Sequence, residues 1–428
     1  GTFGENSLNF FSGTKDFYSH KINQSLRFED GDSAYLSRTP SSTSNRTTWT
    51  WSVWIKRGNL SYSSANMFGA YYDSDDFEYV RFDSDDCIRY TYYVTGSVQN
   101  LLKTSASFRD TSAWYHILVQ RDGSSSEIYV NGVQQDLQTE TRASTNGYFN
   151  HTVNHTIGRF GGSGQHFDGY MAEMHFVDGT SLDPTSFGET KAGIWIPKNY
   201  TGSHGTNGFY LPFDDSSAIG DDESANTNDF SSTNLAATDV VLDSPTNNFA
   251  TMNVNDGNGP DMREGNLKPF GDTASSVFEG FKGTFPMSSG KWYWEMNAAD
   301  VNNLMQVGIT PTTATGVGSS TNLSYHTDAM VYNNGGTKAI GTGGTGTGAS
   351  TKTTTSYGNS YTDGDIIGVA LDLDSSTTTL TFYKNNSSEG TAFSSLASDE
   401  YVALFTGIES SFGIFNFGQD SSFAGTKT

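Results

Sequence analysis

The clearest alternation of apolar and polar positions lies in residues 364–386. It predicts two strands joined by a polar turn, because side chains on a strand point alternately to opposite faces. The apolar positions of the two strands are Ile367, Val369, Leu371, Leu380 and Phe382. Asp374-Ser375-Ser376 supplies the turn, and Asn385-Asn386 ends the second strand because asparagine tolerates positive φ. We predict that this segment is the central hairpin of an antiparallel sandwich.

Similar short runs recur along the chain between clusters of Gly, Asn, Asp and Ser. Trp49, Trp51, Val53 and Ile55 alternate with Thr50, Ser52 and Trp54 and predict a half-buried strand. Residues 128–132 end in Asn-Gly, a strong hairpin signal. Hydrophobic residues make up only 34% of the chain but aromatic residues 14%, which indicates thin sandwiches packed with rings. With 428 residues and no long helical pattern, we predict an all-β protein with more than one domain.

Three segments in the second half carry a family resemblance. Residues 290–295, 364–386 and 413–419 occur in the order and spacing of the strands of a SPRY domain, which they resemble. Asn386 stands where that family usually has glycine, and asparagine can adopt the same backbone conformation. The resemblance implies a SPRY-like sandwich over residues 250–428.

The first half resembles a different family. Residues 51–56, 114–116, 128–132 and 167–174 are similar to the strands of a laminin-G-like, concanavalin-type jelly roll, which would cover residues 25–188. Ala172 stands where the family often has an acidic residue. Residues 189–249 form a connector whose apolar residues are spaced like strand ends, so it is either a linker or a crossover that completes a sheet.

Residues 1–24 are polar with scattered aromatic residues. They form either a disordered arm or an attachment arm that orders only against a partner surface. The predicted fold class is therefore all-β, with two tandem concanavalin-like jelly-roll β-sandwiches joined by a β-containing connector.

The combination of the two domains and the connector resembles virion proteins of tailed bacteriophages. The resemblance implies a virion surface protein, a tail-fibre or appendage component that binds the host surface, with glycans as the expected ligand. Its expected partners are other virion proteins, held through residues 1–24, and a host cell-surface glycan or protein. A homotrimer suits a fibre, although no residue pattern specifies one. The alternatives are a capsid decoration protein without a receptor and a glycan-degrading enzyme.

Charge and composition narrow the class of partner. The net charge of −23 would repel nucleic acid, and no apolar run is long enough for a membrane span. The single cysteine, Cys87, rules out an intrachain disulfide framework and indicates a buried apolar position. The N-terminus has no signal-peptide pattern, so we expect synthesis in the host cytoplasm and a final location in the virion.

Two identical acidic tetrapeptides flank the strand that begins at Phe77. Clustered carboxylates are the ligands that calcium prefers, but polar turns capped by aspartate give the same pattern. Both interpretations stay open at this stage, and calcium is the only cofactor that the sequence suggests. The candidate ligands are Asp73, Asp75, Asp76, Asp83, Asp85 and Asp86.

Recognition of a glycan or a protein requires exposed aromatic residues near the loops of a rigid scaffold. Six tyrosines beside predicted turns meet this description, although each could equally pack in a core or at a sheet edge. They are Tyr71, Tyr72, Tyr92, Tyr93, Tyr325 and Tyr332.

The sequence contains no clear arrangement of catalytic residues. A glycoside hydrolase on this type of fold needs two carboxylates facing one cleft, and Glu173 and Glu295 are isolated on their predicted strands. No Gly-x-Ser-x-Gly elbow precedes a helix. We therefore expect a protein that is not an enzyme. Residues 335–358, rich in Gly and Thr, predict either a disordered insertion or a long loop at the rim of the second sandwich.

Overall fold

The structure is a computed structural model, and it describes residues 17–61, 64–161, 164–257, 261–270, 279–314, 328–342, 351–408 and 410–427. Within these ranges the chain is built from β-strands, with two three-residue 3-10 helices at Pro184–Ser186 and Ala237–Asp239. The predicted all-β class is confirmed. In the described ranges no helix has the length and apolarity needed to cross a lipid bilayer.

The first eighteen strands precede residue 250. They are β1 (Ser25–Phe28), β2 (Tyr35–Arg38), β3 (Thr48–Arg57), β4 (Ser64–Tyr71), β5 (Phe77–Asp83), β6 (Cys87–Val94), β7 (Ser97–Ser107), β8 (Trp114–Asp122), β9 (Ser125–Val130), β10 (Val133–Gln134), β11 (Leu137–Thr141), β12 (Asn154–Ile157), β13 (Gly169–Asp178), β14 (Gly188–Lys191), β15 (Ile194–Pro197), β16 (Phe209–Leu211), β17 (Ser231–Thr233) and β18 (Val240–Val241).

These strands form two packed antiparallel sheets and a separate hairpin, β14-β15. Sheet I has the order β10-β9-β8-β3-β13-β1-β18, with β16 also paired to β13, and sheet II has the order β11-β7-β6-β5-β4-β12-β2-β17. Residues 189–249 supply β16 and β18 to sheet I and β17 to sheet II. The segment between the two sandwiches therefore completes both sheets of the first one.

Aromatic rings fill the space between sheets I and II. Trp51 stacks on Phe68 with ring centroids 6.1 Å apart, and Trp49 stacks on Phe176 at 5.8 Å. Alternation along β3 directs both tryptophans inward, and both are fully buried. A core of large rings gives this thin sandwich much of its buried apolar area.

The outer side of sheet I, which we call the covered face, is occupied by the chain itself. Trp195 of the β14-β15 hairpin stacks on His116 at 5.9 Å and donates its indole N–H to Nδ1 of that histidine at 3.1 Å. Strand β3 is consequently buried on both sides, with Trp54 only 5% exposed. The prediction of a half-buried strand was wrong because the covering hairpin lies about 140 residues further along the chain.

Part of the predicted arm also lies on the covered face. Ile22 packs in a cluster with Trp54, Trp114 and Val241, and Nε2 of His20 lies 3.1 Å from the Glu173 carboxylate. These arm residues thus order against their own sandwich, whereas the attachment-arm interpretation had them order only against a partner. Residues 1–16 are outside the described ranges.

The second sandwich contains the remaining strands. They are β19 (Met252–Gly257), β20 (Asp261–Arg263), β21 (Lys268–Phe270), β22 (Glu279–Gly283), β23 (Lys291–Asp300), β24 (Met305–Pro311), β25 (Met330–Asn333), β26 (Thr337–Thr342), β27 (Thr351–Ser356), β28 (Ile366–Asp372), β29 (Thr379–Lys384), β30 (Ser387–Ser394), β31 (Tyr401–Gly407) and β32 (Phe412–Asn416). Sheet III has the order β19-β22-β31-β24-β25-β26-β27, and sheet IV the order β20-β21-β32-β23-β28-β29-β30.

The predicted hairpin is present in sheet IV. Strand β28 pairs with β29 from Ile367↔Lys384 to Asp372↔Thr379. The five alternating apolar residues are at most 1% exposed and form part of the second core. Asn385 and Asn386 have φ values of 47° and 65°, the left-handed conformation expected of asparagine at this position.

The Gly- and Thr-rich segment 335–358 differs from its prediction. Strands β26 and β27 pair from Thr337↔Ser356 to Thr342↔Thr351, and only residues 343–350 lie outside the described ranges. Threonine is β-branched and favours extended backbone. Repeated threonines therefore extend sheet III where a loop was predicted.

The two sandwiches meet where β1 and β3 end and β13 begins. The Tyr170 hydroxyl donates to the carbonyl of Gly265 at 2.8 Å, and the Asn266 side chain donates to the carbonyl of Gly58 at 3.2 Å. Tyr170 and Asn266 are fully buried. The junction is therefore packed and hydrogen-bonded.

Candidate functional site

The outer side of sheet II, which we call the open face, carries a cluster of aromatic residues. Register and alternation bring them together, since Tyr71 pairs with Phe77 and Phe77 with Tyr93 across three neighbouring strands. Most of the rings on this side are partly exposed, whereas Trp54 on the covered face is buried. The open-face cluster consists of Tyr71, Phe77, Tyr79, Tyr93 and Phe160.

The rings of the cluster form a contiguous platform. Phe77 stacks on Tyr93 at 4.6 Å and on Tyr79 at 5.7 Å. Phe160 meets Phe77 edge-on at 5.2 Å and Tyr71 at 5.5 Å. Except for Tyr79, which is buried, each of these side chains is partly exposed. Mutual packing fixes the orientation of the rings.

Charged side chains border the platform on β5, β6 and β7. The guanidinium of Arg81 lies 4.5 Å from the Tyr79 ring centre and its Nε donates to Asp83 at 2.7 Å. Lys103 lies 3.2 Å from Asp83 and 2.8 Å from Asp85. Burial opposes ionisation of Asp85, but the hydrogen bond and charge of Lys103 outweigh it and lower its pKa. Both cationic and anionic hydrogen-bonding groups thus lie next to the rings.

A second group of rings lies at the adjoining end of the sandwich. Tyr72, 63% exposed, stacks on Tyr148 at 6.5 Å, and Tyr148 stacks on His151 at 6.0 Å. Asp76 accepts hydrogen bonds from the Tyr148 hydroxyl at 2.5 Å and from the backbone N–H of Thr95 at 2.7 Å. These two bonds lower the pKa of Asp76. The rim group, Tyr72, Tyr148 and His151, extends the aromatic surface of the open face around the end of the first sandwich.

The structure separates the predicted tyrosines into three classes. Tyr71 and Tyr93 lie in the open-face cluster, and Tyr72 lies in the rim group. Tyr92 and Tyr332 are fully buried, so in this structure neither ring is accessible to a ligand. Tyr92 faces the core and its hydroxyl accepts from Arg121 at 2.9 Å. Tyr325 lies outside the described residues.

The six predicted calcium ligands do not converge on one point. Asp73 and Asp75 are exposed, and Asp73 accepts from the backbone N–H of Asp75 at 2.9 Å, as in a polar turn. Asp86 is buried and pairs with Arg57 at 2.9 Å and also with Arg109. Because Asp83 and Asp85 are paired with cations as well, these carboxylates favour the turn interpretation.

Sequence reasoning missed three of the five residues of the open-face cluster. Phe77 and Tyr79 were visible as alternating aromatic residues between the two acidic turns, and this pattern could have identified them. Phe160 could not have been found, because it lies on a loop distant in sequence. Arg81 and Lys103 were likewise invisible, since only the pairing of β5, β6 and β7 brings them together.

A smaller aromatic surface lies on sheet IV. Trp292 and Tyr293 are 39% and 52% exposed, and Tyr293 meets Tyr383 edge-on at 6.3 Å. A Cβ atom on Gly368 would lie 2.5 Å from the Tyr293 hydroxyl, so this ring requires glycine beneath it. An apolar cavity of about 210 Å³ lies beside Trp292.

Comparison with protein families defines the class of both sandwiches. A family model described as the concanavalin A-like lectin/glucanases superfamily matches residues 30–184, and the SPRY domain model matches residues 291–420. The protein thus carries a concanavalin-like domain and a SPRY domain in tandem, and both are typically binding folds.

Solved structures align with one sandwich or part of the chain. The SPRY domain of human HERC1 is 19% identical over 34% of this chain and 86% of its own, with a TM-score of 0.26. A heptameric SAP-like pentraxin from Limulus polyphemus is 16% identical over 38% and 80%, with a TM-score of 0.28. A protein from Bacteroides ovatus with a suggested carbohydrate-binding role is 15% identical over 50% and 59%, with a TM-score of 0.32. The search of curated protein sequences gave no significant match.

Proposed function

We propose that this protein is a non-enzymatic surface protein of a tailed-bacteriophage particle, a tail-fibre or appendage component that holds host-surface glycans on its open face. The observation that carries the binding role is the contiguous, partly exposed platform of Tyr71, Phe77, Tyr93 and Phe160. Contiguous exposed apolar surface on a rigid sheet is typical of an interaction site.

Glycans suit the chemistry of this face. A pyranose ring presents a flat C–H surface that packs on aromatic rings, and its hydroxyl groups need donors and acceptors at the edge. Arg81, Asp83 and Lys103 supply these groups. Charge-assisted hydrogen bonds are stronger than neutral ones, so they would orient the sugar.

The arrangement of the sheets favours binding over hydrolysis. A glycosidase requires two carboxylates about 5–9 Å apart across an open cleft. On the covered face, Trp195 of the connector packs over His116, which is 1% exposed, so that face presents no open cleft at this point. Burial lowers the pKa of His116 to about 3, so it stays neutral and held between Ser52 and Trp195.

The placement on a virion rests on the sequence resemblance. The order laminin-G-like domain, connector, SPRY-like domain resembles virion proteins of tailed bacteriophages. In this proposal the N-terminal arm contacts other virion proteins, and several copies on one particle would convert weak glycan contacts into avidity. A capsid decoration role without a receptor is the alternative, and the test must separate the two.

The test uses the full chain, fluorescently labelled and multimerised on a scaffold. We expect saturable binding to susceptible bacterial cells and to their purified surface polysaccharide, in competition with infection. Tyr72→Ala and Tyr93→Ala should each weaken binding about tenfold, as loss of a ring contact worth about 1–1.5 kcal/mol would. Tyr293→Ala is the matched control, because it removes an exposed tyrosine from sheet IV.

Three outcomes would overturn parts of the proposal. Absence of binding at high valency would favour the decoration role. A loss confined to Tyr293→Ala would move the ligand to the SPRY domain. Release of reducing sugar from the polysaccharide would establish the enzymatic alternative.

A further inference from the structure

A buried lysine of the first sandwich lies against two side chains of the connector. Lys56 is fully buried on β3, and its Nζ donates to Oδ2 of Asp243 at 2.7 Å and to Oδ1 of Asn248 at 2.9 Å. Asn248 lies 192 positions after Lys56 in the chain. An amine, a carboxyl group and a carboxamide are therefore brought together by the fold and not by sequence proximity.

The carboxamide carbon of Asn248 lies within reach of the lysine amine. Its Cγ is no further than about 4 Å from Nζ, because the C=O bond that joins Cγ to Oδ1 is about 1.2 Å long. The Phe249 carbonyl also accepts from Nζ at 2.7 Å, and the side-chain N–H of Asn248 donates to the Ser112 carbonyl at 2.8 Å. Both groups are thus held near the separation of about 3–3.5 Å at which positioned groups react efficiently.

Asp243 is oriented towards the amine. Its Oδ1 accepts from the Trp114 indole N–H at 3.0 Å, and its Oδ2 is the atom that accepts from Lys56. The carboxyl group is fully buried. Apolar side chains of the covered face pack around the same indole, and they include Trp54, Tyr170 and Val241. The carboxyl group therefore lies in a dry environment with one oxygen fixed and the other available for proton transfer.

Burial acts on the two ionisable groups in a consistent way. It lowers the pKa of Lys56 and raises that of Asp243, against the attraction between the two charges. Both shifts favour a neutral amine beside a neutral carboxyl group. The neutral amine of a lysine is a nucleophile, whereas its ammonium form has no free electron pair. The surroundings of Lys56 thus favour its reactive form.

We propose that Lys56 and Asn248 form an intramolecular amide bond, with Asp243 as the proton carrier. The electron pair of Nζ attacks Cγ of Asn248, which gives a tetrahedral intermediate with both nitrogens bonded to Cγ. Asp243 takes a proton from Nζ and gives its own proton to Nδ2.

The bond between Cγ and Nδ2 then breaks, and ammonia leaves. The balance is one amine and one carboxamide converted into a secondary amide and ammonia, with Asp243 returned to its starting state and no oxidation or reduction. Asn248 is exposed, so the ammonia has a direct route to solvent.

The amide would fasten strand β3 to the last residues of the connector, immediately before β19 of the second sandwich. An ion pair at this place is lost when the chain unfolds, but a covalent bond persists and restricts the unfolded chain. The reaction requires only this chain, so the proposal does not depend on whether the open face binds glycans.

Mass spectrometry of the intact, folded chain tests the proposal. The wild type should be lighter than the mass of its sequence by about 17 Da, the mass of one ammonia. Asn248→Ala should have its full sequence mass, and because Asn248 is exposed this variant should still fold. Asp243→Asn, which removes the proton carrier, should also lose the mass difference. Asn247→Ala changes the neighbouring exposed asparagine and is the control that should retain it.

Tryptic digestion identifies the bond directly. We expect no cleavage after Lys56 and a branched peptide that contains both Lys56 and Asn248. Asn248→Ala should also unfold at a lower urea concentration than Asn247→Ala, since it loses the covalent constraint.

Three outcomes would overturn the proposal. The first is a folded wild type that keeps its full sequence mass after prolonged incubation. The second is a loss of about 18 Da that persists in Asn248→Ala, which would place the bond on Asp243 with release of water. The third is a gain of about 1 Da at Asn248, which would show that water and not Lys56 attacks the carboxamide.

Discussion

Arg27 and Asp420 form an ion pair 2.8 Å long between residues 393 positions apart in the chain. Arg27 is 1% exposed on β1 of the first sandwich, and Asp420 follows the last strand of the second. The same guanidinium lies 3.0 Å from Asp239 in the connector. One side chain therefore joins both sandwiches and the segment between them.

Replacement of Arg27 with leucine should uncouple the sandwiches. Removal of one partner leaves Asp420 and its acidic neighbours uncompensated in a buried junction, which costs about 3–5 kcal/mol. We expect the single unfolding transition of the wild type in urea to separate into two. Lys291→Ala, which breaks the exposed pair with Asp372, is the control and should leave the curve unchanged. An unaltered single transition for Arg27→Leu would show that the junction does not depend on this pair.

The buried pair of Lys56 and Asp243 should show strong coupling. Lys56 Nζ donates to Asp243 at 2.7 Å and to the Phe249 carbonyl at 2.7 Å, and both side chains are fully buried. Burial lowers the pKa of Lys56 and raises that of Asp243, so each charge depends on the other. Lys56→Met alone should lower the free energy of unfolding by about 3–5 kcal/mol.

A double-mutant cycle measures that coupling. Lys56→Met combined with Asp243→Asn should be more stable than Lys56→Met alone, because no unpaired charge remains. Equal stability of the single and double variants in urea unfolding would contradict the prediction.

Docking of the arm should depend on pH through His20 and Glu173. The hydrogen bond to Glu173 raises the pKa of His20 above 6.5 against the opposing effect of burial. Stabilisation by protonated His20 is therefore present below pH 6.5 and is lost as the pH rises through its folded-state pKa. Burial opposes ionisation of Glu173, but its hydrogen bonds to His175 and then His20 lower the pKa to about 2, so its contribution to folding stability is present above pH 4.5 and is lost as the pH falls towards 2. Docking should be strongest between about pH 4.5 and 6.5.

NMR titration of the His20 ring tests this prediction. The wild type should titrate above 6.5, and Glu173→Gln should return the pKa of His20 towards 6.5 or below. His151, whose pKa is lowered by burial, is the internal control and should not change. Equal His20 titration in the two proteins would rule out the pair.

Gly169 and Gly179 provide a matched pair for backbone strain. Both have positive φ, 130° and 83°. A Cβ on Gly169 would lie 2.3 Å from the Lys56 carbonyl, whereas one on Gly179 meets nothing within 4 Å. Gly179→Ala should cost about 1 kcal/mol from strain alone, and Gly169→Ala about 3 kcal/mol or more. Similar urea midpoints for the two variants would show that the strand shifts to relieve the clash.

Local patterns in the sequence predicted local structure well. The alternation at Ile367, Val369 and Leu371 and the two asparagines that follow β29 specify a hairpin without help from distant residues. Sequence order and motif spacing also identified both sandwiches. These features depend on the hydrophobic period, on turn residues and on near neighbours in the chain, all of which can be read directly from the sequence.

The candidate site was less predictable because it depends on which face of a sheet stays uncovered. Tyr92 and Tyr93 are adjacent and equally aromatic, yet Tyr92 points into the core and Tyr93 onto the open face. Trp54 looks like an exposed position on an alternating strand, but Trp195 and Val241 of the connector cover it. Such coverage is decided by contacts between residues more than 100 positions apart, which periodicity does not encode.

Because residues 189–249 contribute strands to both sheets, the first sandwich cannot finish folding on the ribosome until the connector has been synthesised. The last of strands β16, β17 and β18 becomes available only after residue 241 has left the exit tunnel, so the edges of the first sandwich stay incomplete while about 50 further residues are synthesised. The ion pair between Arg27 and Asp420 can form only later still, after Asp420 has been synthesised. A gene fragment that stops at the end of the laminin-G-like match would thus encode an aggregation-prone intermediate, and useful subcloning boundaries for this protein lie beyond the connector.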